Sequence, residues 1–205
     1  MNQILVYGSE GSTEAVAKFL EGELPIEVDR MVSTEDFRDA STRKVLEITE
    51  KDVVPIIGKY KIIVLADPLG AMVCESILAK RYPKQRFVSY GWGMAKLIKK
   101  LRTVYVLVSM NIRRLEEYQK IKAKCQETEV REPDPAGWVE LVRTEWPSKE
   151  QIIEEVKSAQ DAPIIVCHPE LPSDKIRELV DWRGEVMDVK AEMLIDLKNK
   201  IGMKD

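Results

Sequence analysis

Four times along this 205-residue chain a short apolar run ends in a turn and gives way to a stretch with helical periodicity. The runs occupy residues 3–7, 61–65, 103–108 and 164–167. A strand covered on both faces is apolar throughout, whereas a half-exposed strand alternates. Continuous runs joined through helices therefore predict βα units and parallel pairing. Weaker strands are expected at residues 86–89, 128–131 and 185–189.

The helical stretches follow from caps and stripes. Ser9-Glu10-Gly11-Ser12-Thr13 is a turn rich in N-cap residues, and Ala15, Val16, Phe19 and Leu20 then share one face. A helix is expected over 43–53, its end disturbed by Pro55, and another after the turn Asp67-Pro68-Leu69-Gly70. Residues 31–42 read as irregular. Gly91-Trp92-Gly93 reads as a loop before a basic helix over 94–101. Ile112, Leu115, Tyr118, Ile121 and Cys125 form one stripe of a single helix, with Glu116 and Lys120 paired four residues apart. Further helices are expected at 135–142, 148–158, 173–180 and 191–201. Each half repeats strand, Pro- or Gly-bearing turn and helix. The fold expected is α/β, with two similar lobes of mostly parallel sheet flanked by helices and a cleft between them. Residues 1–90 with 191–205 would make the first lobe, and 91–190 the second.

Charge and cysteine content exclude several functions. Lys and Arg number 32 against 35 Asp and Glu, so no basic excess is available to neutralise nucleic-acid phosphates. Three widely spaced cysteines, Cys74, Cys125 and Cys167, suit neither a zinc site nor a disulfide framework and point to a reducing cytoplasm. No run is long enough to span a membrane, and the chain enters its first strand without a signal peptide.

The chemistry concentrates at Ile164-Ile165-Val166-Cys167-His168-Pro169, where an apolar strand ends in a thiol beside the only histidine of the chain. Ligands of open α/β folds bind at the carboxyl ends of strands. A thiol and an imidazole there can serve as a nucleophile or a proton-transfer pair. The plain alternative is an inert core thiol. With one histidine and no acidic cluster beside it, no metal site is expected. Cys74 falls inside a helix and is expected to face the core, though it lies close enough to the preceding turn to enter the cleft. Arg113 and Arg114 start a helix after Ser109-Met110-Asn111, either as solvated charges or as a fork for a carboxylate or phosphate. Tyr90 and Trp92 could stack on a planar ligand or simply pack.

The order of these pieces resembles the aspartate/glutamate racemase superfamily. Ile4-Leu5-Val6-Tyr7-Gly8-Ser9-Glu10-Gly11 is similar to its opening strand and Asp-Ser-Gly turn, with Gly8 in the place of the aspartate. Residues 60–83 resemble the strand, Cys-Asn-Thr turn and helix of the first lobe, with Asp67 in the cysteine's place. Residues 93–125 resemble the middle helix and strand and the helix that carries a Tyr-Gln pair. Residues 162–189 resemble the second-lobe strand ending Gly-Cys-Thr-His-Tyr-Pro, without the threonine, so that Cys167 and His168 are adjacent.

The resemblance implies a cofactor-independent isomerase, racemase or lyase acting on a small carboxylic acid, and a homodimer. Two-thiol racemisation is not expected, because only one of the two thiols is present. Relatives that decarboxylate malonates work with the second-lobe cysteine alone. Cys167 is then the working thiol, with Asp67 and His168 as its catalytic partners. If Asp67 faces Cys167, its charge would raise the thiol's pKa. Ser9, Gly11, Ser12, Asn111 and Arg113 would bind the substrate, the first three through hydroxyls and amides at a helix start. Two other readings are consistent with the residues. One is a racemase-like binding protein that has lost catalysis. The other is a flavodoxin-like binder of phosphate or FMN, since the stretch after the first strand also resembles a flavodoxin's phosphate loop.

Overall fold

The computed structural model describes residues 4–37, 40–108, 110–132, 157, 159, 162–171, 173–179 and 185–203. The helices expected at 135–142 and 148–158 lie outside these residues, save residue 157. The chain divides into two compact units, Met1–Gly93 with Lys190–Asp205, and Met94–Val189.

The first unit holds β1 (Ile4–Gly8), β2 (Val28–Val32), β3 (Ile62–Leu65) and β4 (Arg86–Ser89). They form a parallel sheet in the order β2-β1-β3-β4. The second unit holds β5 (Thr103–Leu107), β6 (Glu129–Arg131), β7 (Ile164–Val166) and β8 (Val186–Asp188). These are parallel in the order β6-β5-β7-β8. Both units therefore lay their four strands down in the same spatial order. This repeats in space the echo visible between the halves of the sequence, and it is the two-lobed fold expected there. Two four-stranded sheets replace the single sheet that a flavodoxin-like reading requires.

Burial explains which strands were easy to read. All residues of β1 and β3 are buried, central in their sheet. Burying each large side chain of these strands contributes about 1.5–3 kcal/mol before entropy is counted. In the second unit Tyr105, Leu107, Ile164, Val166, Ile176 and Val186 share one apolar cluster. The edge strand β2 exposes Arg30 and Val32 and buries Val28.

Among the described residues the α-helices are α1 (Glu10–Glu23), α2 (Thr42–Val53), α3 (Pro68–Arg81), α4 (Tyr90–Ile98), α5 (Met110–Arg113), α6 (Glu116–Lys124), α7 (Ser173–Leu179) and α8 (Val189–Ile201). Ser41 caps α2 by accepting from the Lys44 amide at 3.3 Å. Asp67 caps α3, and Pro68 takes the first helical position, where its missing N–H costs nothing. α8 fastens to β4 through Lys200, whose Nζ donates to the Phe87 carbonyl at 2.6 Å. Among the described residues, no helix is long and apolar enough to cross a membrane.

Three local expectations are corrected. Residues 31 and 32, read as irregular, end the edge strand β2, whose Arg30 pairs with Glu14 (3.0 Å) and Glu21 (2.7 Å) of α1. The Gly91-Trp92-Gly93 loop is instead the first turn of α4. A Cβ on Gly91 would lie 2.6 Å from Cγ of Met72, so the glycine lets α4 press on α3. The single helix expected across 112–125 breaks between α5 and α6, with Leu115 as an extended N-cap.

Candidate functional site

Two strand-end clusters carry the polar chemistry, one in each unit. In the first unit, Ser9 follows β1 and caps α1 by backbone position, yet its hydroxyl makes no bond to that helix. It donates instead to Oδ2 of Asp67 at 2.9 Å. Oδ1 of Asp67 accepts from the amides of Leu69 (3.0 Å) and Gly70 (3.2 Å) at the start of α3. One carboxylate thus takes donors from the starts of two helices. The strands come close enough here that a Cβ on Gly8 would fall 2.8 Å from the Asp67 amide nitrogen. Position 8, where the resemblance places an aspartate, has no room for any side chain in this backbone. Ser9 was expected to hold a ligand's carboxylate; its hydroxyl here holds the chain's own. Gly11 is exposed on α1 and Ser12 is buried. The Thr13 hydroxyl, one turn on, is buried without a hydrogen-bond partner.

Beneath Gly8 lies a network that the sequence did not announce. The Tyr7 hydroxyl donates to Asp52 at 2.9 Å, and Asp52 also accepts from the Thr34 amide (3.0 Å) and hydroxyl (2.8 Å). The Ser33 amide donates to the Gly8 carbonyl at 2.8 Å. These bonds pin the loop after β2 to the end of β1. Burial, reinforced by Asp52, pushes the Tyr7 phenol above its ordinary value and keeps it protonated. Asp52 sits in the last turn of α2, where a helix disfavours a carboxylate, and that mismatch was the available signal. Cys74 is fully buried, as expected, and burial pushes its thiol up to about 12.

In the second unit, Cys167 and His168 follow β7, Glu132 follows β6, and Asp188 ends β8. The Cys167 amide donates to the Leu107 carbonyl at 3.1 Å, which holds the thiol beside the end of β5. Cys167 is only 4% exposed. Burial first, and the charge of Asp188 second, raise its thiol well above the ordinary range, so it rests protonated. His168 is half-buried.

Tyr118 and Glu132 complete this cluster, and neither was singled out as a site residue from sequence. Tyr118 was assigned to an apolar stripe, and it is indeed buried. Its hydroxyl donates to Glu132 at 2.6 Å, and it lies within electrostatic reach of Cys167. Burial and Glu132 both raise its pKa. Glu132 also pairs with Lys122 (3.1 Å) and Arg113 (3.2 Å). Arg113, expected to fork a ligand's carboxylate, thus already holds an internal one. Asn111 lies in α5. Tyr90 is 1% exposed at the start of α4, so it is a packing residue and not a stacking platform. Among the described residues, no group of three or more His, Cys, Asp or Glu could hold a metal ion.

No family model matches the sequence, and no curated protein matches it. The fold has clear relatives among solved structures. A glutamate racemase from Francisella tularensis in complex with D-glutamate aligns with a TM-score of 0.77 at 15% identity, over 100% of this chain and 83% of that one. A glutamate racemase isoform from Bacillus anthracis gives 0.79 at 14%, over 98% and 83%. An aspartate racemase from Picrophilus torridus gives 0.67 at 13%, over 98% and 95%. The chain has the fold of aspartate and glutamate racemases.

Proposed function

We propose that this racemase-like protein is a cofactor-independent enzyme acting on a small carboxylic acid, with Cys167 as its proton donor. The observation that carries the reading is a buried, protonated thiol at a strand end, beside Asp188 and near the Tyr118–Glu132 pair. A thiol held in its neutral form is a poor base and a poor nucleophile as it stands. It is well prepared to give its proton to a carbon that has become carbanion-like. In a lyase, the electron pair of a breaking C–C bond stays on the substrate carbon as CO2 leaves. That carbon takes the proton of the S–H bond, and the thiolate left behind recovers a proton from solvent. In an isomerase, a separate base removes a proton from the same carbon and the thiol step is unchanged. The kinship of fold with proteins that act on glutamate and aspartate supports a carboxylic acid as substrate.

A second reading has its own support. Asp67 is engaged as a helix cap and Arg113 is paired with Glu132, as in a protein that binds without catalysis. The two separate by experiment. Wild type and Cys167→Ala are incubated with amino acids and dicarboxylic acids in D2O, and NMR follows deuterium uptake at the carbon next to the carboxylate. The enzyme reading expects exchange or CO2 release with at least one acid, and a loss of roughly a hundredfold or more in the variant. Full activity of Cys167→Ala would remove the thiol from the mechanism. Binding of an acid without turnover would favour the non-catalytic reading.

A further inference from the structure

The segment that follows β2 is an exposed strap with one buried end. Thr34, Glu35 and Asp36 are exposed, whereas Phe37 is 2% exposed. The Phe37 ring lies on the first turn of α3, where a Cβ on Gly70 would come 3.0 Å from its Cε2 atom. It also meets the Tyr7 ring edge-on, with 6.4 Å between centroids. The ring thus fills the space left by the missing side chain of Gly70, between the end of β1 and the start of α3. The start of the strap hangs on a buried carboxylate. Asp52 is 5% exposed and accepts from the Thr34 amide (3.0 Å), the Thr34 hydroxyl (2.8 Å) and the Tyr7 hydroxyl (2.9 Å). The Ser33 amide adds its bond to the Gly8 carbonyl at 2.8 Å. Glu35 pairs with Lys44 at 2.8 Å, but their side chains are 42% and 47% exposed, and such a pair contributes little.

Residues 33–37 lie outside strand and helix. A segment of that kind, which buries one ring and is tied by a few side-chain bonds, belongs to the low-stability end of a fold and can open while the sheet stays intact. We propose that residues 33–37 are a clasped cover over the strand ends of the first unit, with Asp52 as its clasp and Phe37 as its plug. Open, the cover bares Tyr7 and Gly70 at the carboxyl edge of the sheet, the edge at which ligands of open α/β folds bind. Closed, it withholds that edge from solvent. Asp52 is here a positioning residue, acting through Thr34. The proposal concerns the first unit alone and does not depend on Cys167.

The alternative is a segment that is simply part of the core and opens only when the whole unit unfolds. Native-state hydrogen exchange, read by NMR in low concentrations of urea, separates the two. The amides of β3 report global unfolding, and those of Ser33 and Thr34 report the cover. In wild type, Ser33 and Thr34 exchange at least about a hundredfold faster than the β3 amides and with little dependence on urea, as local opening exposes little surface. Asp52→Asn keeps one accepting oxygen and so leaves a donor of the clasp unserved. It speeds exchange at Ser33 and Thr34 by roughly tenfold or more beyond any change at β3. Phe37→Ala does the same, because plug and clasp close one cover. Equal rates and equal urea slopes at the strap and at β3 in wild type overturn the proposal. So does an Asp52→Asn protein in which both regions accelerate alike, which would make Asp52 a support of the whole unit. A Phe37→Ala protein that accelerates only β3 overturns it too. Should Asp52→Asn not fold, Thr34→Ala replaces it, removing one donor of the clasp at an exposed position, and must accelerate Ser33 and residue 34 over β3. Turnover is not measured, so failure here is independent of the fate of the Cys167 mechanism.

Discussion

Gly8 and Asp67 meet where β1 and β3 end, so closely that a Cβ on the glycine would lie 2.8 Å from the aspartate's amide nitrogen. The obstructing atom is backbone, which cannot swing aside. Gly8→Ala should therefore force the two strand ends apart and destabilise the fold by about 1–3 kcal/mol, the usual cost of overpacking. Urea denaturation measures this. A variant as stable as wild type would show that the strand ends are not held at this distance.

Glu132 is the hub of its cluster, accepting from Tyr118 and pairing with Lys122 and Arg113. Its side chain is 11% exposed, whereas those of Arg113 and Lys122 are 21% and 28% exposed. The buried Tyr118 hydroxyl accordingly dominates the cost of losing Glu132. Glu132→Ala should destabilise by about 1–3 kcal/mol, as expected when a buried donor loses its partner. Combining it with Tyr118→Phe should recover part of that loss, because no orphaned hydroxyl remains. Strictly additive effects in this double-mutant cycle would argue that the two side chains are not bonded.

All three cysteines are buried, and the Cys167 thiol is held protonated. Native protein at pH 7 should react with iodoacetamide at Cys167 at least ~100-fold more slowly than the urea-unfolded chain, since the thiolate is the reacting species. Peptide mass spectrometry resolves the three positions. Labelling of Cys167 at the rate of a free thiol would contradict both its burial and its protonation.

Stability should fall at alkaline pH. Cys74 has an ordinary value of 9.0, pushed up to about 12 by burial in the folded protein. Between those values the folded state keeps a proton that the unfolded state has lost, so stability decreases as pH rises. Below pH 9 the full contribution is present. Tyr7, Tyr118 and Cys167 are raised too and act in the same direction. Cys74→Ala should flatten the slope of unfolding free energy against pH in this window. A slope identical to wild type would mean that the thiol titrates normally.

The central strands were legible because burial on both faces leaves an unbroken apolar run, as in Ile62–Leu65. The edge strand β2 was not, because its polar residues answer to partners elsewhere, Arg30 to Glu14 and Glu21. Gly91 and Gly93 signal a loop locally, but packing against Met72 decides for helix. The apolar stripe through Ile112 and Tyr118 concealed a break, since hydrophobic spacing does not record where backbone hydrogen bonds stop. At the strand ends, Cys167 was nominated by its position after an apolar run, and Ser9 and Asp67 by the family resemblance. Sequence could not show that Asp67 would bond Ser9, or that Glu132 would take Arg113, because those partners are far apart along the chain.

The interrupted first unit makes its completion wait on a distant part of the chain. Met94–Val189 is one continuous segment, whereas Met1–Gly93 is joined by Lys190–Asp205. The first unit has all four of its strands by Ser89, yet α8 arrives only after about a hundred intervening residues. Until then the Phe87 carbonyl lacks Lys200, and the face that receives α8 stays open. A chain cut before Lys190 would keep every strand of both sheets and lose the helix that fastens β4.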